Sequence, residues 1–503
     1  MNHAVILPVL IPLFAGSLLL LAHRLGLHSK RLLSLLACWS LLPISVLLLM
    51  LAGDGQLRVY ALGNWQPPFG IVLVLDRLAA LMLTTTAVLA AFALLYAARG
   101  DDARGPNFHA LFQFQLVGIN GAFLTGDLFN LFVFFEILLI ASYALLLHGH
   151  GAGRVRAGLH YVVLNLLGSS LFLIGIALLY GLTGTLNMAD LAARVAAAGP
   201  DVSPLLAAGG FLLLVVFGLK AAILPLHFWL PSAYASATAP VAALFAIMTK
   251  IGLYAILRVF TLVFGSEAGD LANMANAWLW PLALVTLALG VLGALAARDF
   301  QRMLAYLVVV SVGTLLAGIA MGSAAGLKAA LYYLIHSTLV AGGLFLLADL
   351  VIRQRGPAGG QMVTYASIRQ PLLLGTLFFV GAISVVGLPP FSGFLGKVML
   401  LRAAESGVSQ VALWAVVLLG GLVMVIASSR TGSLIFWRAA GEPAPQCQAD
   451  KSDPVRLLAC AALLSCSLWL VVAANPLQAY ISAAVDQILD LGPYMQIVWG
   501  GEL

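Results

Sequence analysis

Residues 218–254 read GLKAAILPLHFWLPSAYASATAPVAALFAIMTKIGLY. Apart from Lys220 and Lys250 the stretch carries no Asp, Glu, Lys or Arg, and Pro225 and Pro231 interrupt it. Proline removes a backbone donor and clashes with the preceding turn. In hydrocarbon a helix breaks only where neighbouring groups satisfy the freed backbone. The stretch therefore predicts a membrane helix broken near mid-membrane, followed by a second span that holds Lys250. Residues 387–397, GLPPFSGFLGK, repeat the theme with Pro389, Pro390 and then Lys397. Two broken helices in corresponding halves point to an inverted-repeat transporter with its path at the breaks.

Composition extends this reading to the whole chain. Of 503 residues, 62% are hydrophobic and 9% charged, against about 25% charged in an ordinary soluble domain. Too few charges exist to cover a soluble surface, so a soluble enzyme, a nucleic-acid binder and a secreted module are excluded. The net charge of +6 has a simpler source in the positive-inside bias of membrane loops. Cys38, Cys447, Cys460 and Cys466 match no zinc or iron–sulfur spacing, so neither a metal nor a disulfide is expected. Residues 4–22 lack a basic start and a cleavage site, and read as a first span rather than a leader.

A span needs roughly 20 apolar residues. Fourteen segments qualify: 4–22, 32–51, 71–97, 107–125, 128–147, 158–180, 205–229, 238–264, 273–296, 303–321, 328–349, 371–402, 411–436 and 456–474. The fold class is an all-α polytopic membrane protein. The odd-numbered connections carry 16 Lys and Arg and the even-numbered side 6. The positive-inside rule then places the odd loops in the cytoplasm and both termini outside it. The tail at 475–503, with Asp486, Asp490 and Glu502, is too polar to span and is expected at the outer surface. Loops this short hold no nucleotide or redox domain, so no cofactor is expected.

Four ionisable residues, Glu136, Lys220, Lys250 and Lys397, fall inside spans. Each charge at a helix centre costs about 2.5–3.5 kcal/mol, so four cost on the order of 10. One reading is a pair of structural ion pairs that hold helices together; the other is a relay of protonatable groups. One carboxylate cannot neutralise three lysines, which favours the relay. Ala242, Ala243 and Ala246 precede Lys250 at helical spacing and are expected to leave room for water. Gln113 with Asn120, and Asn165 with Ser169, add polar faces. His336, in LYYLIHSTLV, has the chemistry of a proton carrier, though a lone membrane histidine also serves as a helix–helix hydrogen bonder. His227 is expected to satisfy backbone groups freed by Pro225. Asp76 and Asp349 read as interfacial charges.

The stretches at 218–254 and 387–397, with DLFNLFVFFEILLIASYALL at 127–146, resemble the signatures of the proton-translocating, antiporter-like membrane subunits. That superfamily includes the large subunits of Mrp-type cation/proton antiporters and of respiratory complex I; the 127–146 stretch resembles the D-type subunit of Mrp antiporters. The resemblance covers nearly the whole chain. It implies two inverted five-helix repeats, here 107–264 and 273–438, between N-terminal helices at 1–106 and a last helix with an outer tail at 455–503. It also implies a chain of protonatable sites on Glu136, Lys220, Lys250, His336 and Lys397. Many relatives carry a further lysine one turn after the histidine, where this chain has Val340 and Ala341; the second half-path then rests more on His336 and water. Placing Leu224-Pro225 on Leu388-Pro389 does not superpose Lys220 on Lys397.

The function expected is therefore proton conduction within a multisubunit Na+ or K+/proton antiporter of the plasma membrane, alongside a large A-type subunit and small membrane subunits. The rivals are the homologous pumping subunit of complex I or of a membrane-bound hydrogenase, and an assembly scaffold that has lost transport. A scaffold has no need to tolerate the intramembrane charge.

Overall fold

The computed structural model describes residues 2–499 except 23, 66–69, 366–367 and 439–450; His23, Cys447 and Glu502 lie outside the described residues. Within them, 12 helices are long and apolar enough to cross a membrane, and Phe108–Leu124 and Pro371–Val386 are shorter apolar helices. Together they supply the fourteen expected spans. The first three are Leu7–Leu21, Leu27–Ala52 and Arg77–Ala97. The next five are Phe108–Leu124, Leu128–Leu147, Ala152–Thr183, Ser203–Ala221 continued by Trp229–Ser236, and Ala239–Phe245 continued by Met248–Leu262. Spans nine to eleven are Asn276–Ala296, Phe300–Ala320 and Ala324–Arg355. The twelfth is Pro371–Val386 continued by Ser392–Ala403; Val408–Gly432 and Pro454–Val472 complete the set.

The same parts recur in the same order. Spans five and ten each begin at an aspartate N-cap, Asp127 accepting from the Asn130 N–H and Asp299 from the Arg302 N–H. Spans six and eleven are both 32 residues long. Just beyond them, Asn187 bridges back to Asp127 and Gln361 to Asp299. Spans seven and twelve are the broken ones. Each unit has five spans, an odd number, so the second enters the membrane from the opposite side to the first.

Both breaks have one construction. The first half-helix ends in a residue of left-handed backbone, Ala222 (φ 59°) or Gly387 (φ 85°). A cis X-Pro bond follows, at Leu224-Pro225 and at Pro389-Pro390. Matching the helix ends sets Ala222 on Gly387 and Pro225 on Pro390. That corrects the register given by Leu224-Pro225 against Leu388-Pro389 by one residue.

Several boundaries differ from the sequence reading for identifiable reasons. Residues Val72–Leu75 form a strand paired with Arg58–Ala61; the third span starts only after Asp76 caps it through the Ala79 N–H. Pro231 lies inside the second half-helix rather than closing the seventh span. The alanines before Lys250 pack against the eleventh span. They are fully buried, and the Ala243 carbonyl lies 3.7 Å from where a side chain on Gly342 of the eleventh span would begin, so their small size serves close helix packing. Gln113 donates to Ser34 and Asn120 to the Pro8 carbonyl, which ties the fourth span to the first two. A short amphipathic helix, Met188–Ala196, escapes the sequence reading because its nine residues sit between two much longer apolar runs. The tail forms helices Ala474–Leu489 and Gly492–Trp499, the first packed on spans three and eleven.

Candidate functional site

The seventh-span break is held open by its neighbours. The Leu224 N–H donates to Thr286 of the ninth span at 3.0 Å, and the Trp229 indole donates to the Leu219 carbonyl at 3.1 Å. These two groups, not His227, satisfy the freed backbone; His227 is buried in the break with Nδ1 unpartnered among the described residues. Lys220 sits in the last turn of the first half-helix, 4% exposed. Its ammonium donates to Ser169 Oγ and to the Asn165 carbonyl, each at 3.3 Å. Ser169 in turn donates to Glu136 Oε1. Glu136 and Lys220 are thus joined through a hydroxyl rather than by direct contact, with the ammonium 6.0 Å from the centre of the Phe135 ring.

Lys250 is wholly buried just after an irregular turn at Ala246–Ile247. It donates to Ser311 Oγ of the tenth span at 2.9 Å, and Ser311 donates to the Val308 carbonyl. Ser311 and His336 both line a cavity of about 20 Å³, with Tyr333, Ser337 and Val385 around it. That volume holds about one water, with polar groups at both ends. His336, on the eleventh span, is 1% exposed and lies 2.8 Å from Ser392 Oγ through Nδ1.

Lys397 belongs to the second half-helix of the twelfth span, yet its ammonium reaches back across the break. It donates to the Val386 carbonyl at 2.5 Å and to Val385 at 3.4 Å. In the register of the helix ends, Val385 corresponds to Lys220. The Lys397 ammonium thus comes to the backbone position that corresponds to Lys220, from the opposite half-helix. Gly387 makes this possible. A methyl there would lie 2.6 Å from Lys397 Cδ, and its φ is in the left-handed region, which costs a side-chain-bearing residue about 1–2 kcal/mol. Gly387→Ala is expected to displace Lys397 and cut transport severalfold at matched expression; unchanged transport would show that the ammonium need not sit at the break.

Of the five residues singled out from sequence, Glu136 and Lys220 are joined through Ser169, Lys250 reaches the cavity beside His336 through Ser311, and Lys397 sits at the second break without a hydrogen bond to His336. What the sequence reading misses are the hydroxyls between them. Ser169 stands out only as part of a polar face, and Ser311 and Ser392 not at all. A lone serine in an apolar helix is indistinguishable from helix glue until its partner is known.

Two further charged clusters lie toward the ends of the bundle. Asp76 and Arg258 form a buried pair at 2.6 Å, with Arg258 also donating to the Tyr254 hydroxyl. At the other face Asp101 meets Arg104, Arg353 and Arg456, and Asp349 meets Arg353 and the Tyr96 hydroxyl. Asp76 and Asp349 are therefore ion-paired clamps rather than simple interfacial charges. Beside them Asp102 accepts from Arg31 and lies 3.0 Å from His109 Nε2. Burial works against the Asp102 charge, but the bonds from Arg31 and His109 prevail and hold its carboxyl well below the usual range.

Two broken-helix repeats that hold ionisable side chains inside the membrane-spanning bundle define a polytopic membrane protein of the transporter class. The chain belongs to the NADH:quinone oxidoreductase/Mrp antiporter transmembrane family, whose profile matches residues 125–426. It is 42% identical to a probable K(+)/H(+) antiporter D-type subunit of Rhizobium meliloti, over 97% of this chain and 96% of that one. It is 38% identical to an Na(+)/H(+) antiporter D-type subunit of Bacillus subtilis, over 99% of both. Its fold matches a chain in the structure of the Mrp complex from Dietzia sp. with a TM-score of 0.88 and 28% identity, covering 99% of this chain and 100% of that one.

Proposed function

We propose that this chain is the D-type, proton-translocating subunit of a multisubunit monovalent cation/proton antiporter in the plasma membrane. The observation that carries the reading is that intramembrane ionisable groups are joined in two short sets. Hydroxyls or a water-sized cavity connect Glu136 to Lys220 and Lys250 to His336, and Lys397 closes the second break. Proton entry drives export of Na+ or K+. A transporter subunit is the reading, rather than an enzyme. The complex I alternative rests on more distant kinship than the D-type antiporter relatives.

The mechanism is electrostatic. With the hydroxyl of Ser169 between them, Glu136 stabilises the charged form of Lys220. A proton arriving at Lys250 weakens that arrangement by like-charge repulsion. Lys220 then gives up its hold on Ser169, and the proton at Lys250 crosses the cavity to His336 and leaves by Lys397. The basic loops place the odd connections in the cytoplasm and both termini outside. The four divisions at 1–106, 107–264, 273–438 and 455–503 follow the two repeats and their flanks.

Partner subunits are part of the reading. Glu136 is only half-buried, on a face where Phe129 is 46% and Ile140 65% exposed. A carboxylate at the edge of an apolar membrane face calls for cover by another membrane subunit, of the large A-type or the small kind.

His336 tests the second half of the path. If it relays protons, His336→Ala reduces flux strongly and His336→Lys restores part of it. Near-silent His336→Asn and His336→Gln beside a dead His336→Lys would remove it from the path, because an amide keeps the hydrogen bond without a titrating proton. Flux is measured in vesicles containing the whole complex at matched expression.

A further inference from the structure

The fourteenth span lies outside both repeats, yet it brings a hydroxyl to the path. Ser392 Oγ, 2.8 Å from His336 Nδ1, is also 2.9 Å from Ser467 Oγ, and the Ser392 N–H donates to Ser467 Oγ at 3.3 Å. Both serines are fully buried. On its other side the imidazole faces the Ser384 carbonyl across Gly393, where a methyl would stand 2.8 Å from Nε2.

A carbonyl only accepts, so that side of the ring favours a proton on Nε2. In the neutral ring Nδ1 is then an acceptor. Ser392 donates to it, and Ser467 donates to Ser392 Oγ. When His336 takes up a proton, Nδ1 becomes a donor as well. Ser392 has to reverse, accepting from Nδ1 and donating to Ser467. Ser467 can take both the O–H and the N–H of Ser392 on its two lone pairs, and turn its own proton to a carbonyl of the preceding turn, as helical serines do. Each donor on this side keeps an acceptor in both states.

We propose that Ser392 and Ser467 form a reversing hydroxyl pair that positions His336 and accommodates both of its protonation states, giving the fourteenth span a part in proton transfer. The inference rests on the reading of His336 as a relay. The charges that face the ring belong to Lys397 on the twelfth span and, across the cavity, to Lys250 through Ser311 of the tenth. On its own helix, Tyr333 stands 5.4 Å from it ring to ring, and the Tyr332 hydroxyl is engaged by the Leu470 carbonyl. The fourteenth span adds the thiols of Cys460 on the Gly343 carbonyl and Cys466 on Ala462, while its Arg456 is paired with Asp101 and Asp349 at the end of the span. The competing account is that the serines merely hold two helices together.

The test compares cation-driven proton flux against pH in everted vesicles carrying the whole complex at matched amounts. The variants are Ser467→Ala, Ser467→Thr and His336→Ala. Ser467→Ala removes the acceptor that Ser392 needs when Ser392 accepts from the protonated ring. It should lower flux about three- to tenfold, the worth of one hydrogen bond, and move half-maximal flux to lower pH by roughly half to one unit. Ser467→Thr keeps the hydroxyl and should restore both. An inactive His336→Ala beside an undisplaced profile in Ser467→Ala overturns the hydroxyl pair and leaves the relay standing. A uniform loss at every pH that threonine does not restore overturns it too. Full flux in His336→Ala overturns the relay, and the pair with it. If Ser467→Ala fails to assemble, Ser467→Cys, similar in size but a weak hydrogen bonder, is read by the same outcomes.

Discussion

Glu136→Ala is expected to abolish antiport while the complex still assembles. The carboxylate is half-buried and its described hydrogen bond is from Ser169, whose proton can turn to the Asn165 carbonyl instead. Little packing is lost with it. What is lost is the negative charge that stabilises the charged form of Lys220 through that serine. With that charge gone, the coupling to the second half-path is lost. Glu136→Asp keeps the charge but shortens its reach by one methylene, so partial activity is expected. Normal flux in an assembled Glu136→Ala complex would contradict the Glu136–Ser169–Lys220 coupling, whatever the rest of the path does.

The second large effect is at Lys220. Lys220→Ala should stop transport, and Lys220→Arg should fail or nearly fail. The arginine keeps a positive charge at the helix end, but it cannot release a proton at accessible pH. It must also fit a longer, planar group where the ammonium now lies 3.3 Å from Ser169 and Asn165, with Gly168 and Leu219 closing the site. Flux of the two variants in vesicles separates the roles of charge and proton. A fully active Lys220→Arg complex would mean that fixed charge suffices, and that the intramembrane ions serve structure.

Much of this architecture is legible in the sequence because membrane physics leaves few choices. Twenty apolar residues have to be helix, and Pro225 and Pro390 have to break one. Intramembrane lysines have to have a reason. Sequence misleads where a local rule has two outcomes. The run at 71–75 is as apolar as a helix start, but alternating Val and Leu before a capping Asp76 forms a strand. Alanines beside Lys250 suit space for water and close packing equally well, and the eleventh span takes them for packing. Lys397 sits on the wrong side of its proline for a sequence alignment with Lys220; only the side chain reaching back to Val385 and Val386 shows the shared placement. Asp349 and Asp101 lie far apart in the chain, and no sequence pattern announces that Arg353 and Arg456 join them.

Lys250 is the junction between the two halves, since its ammonium is fully buried and reaches the second repeat through Ser311. The most direct test is therefore proton and cation exchange, with Na+ and with K+, by the purified complex in vesicles under an imposed pH gradient, comparing the native chain with Lys250→Ala. The path described predicts exchange in the native complex and its loss in an assembled Lys250→Ala complex. Undiminished exchange by that variant would place the proton route elsewhere.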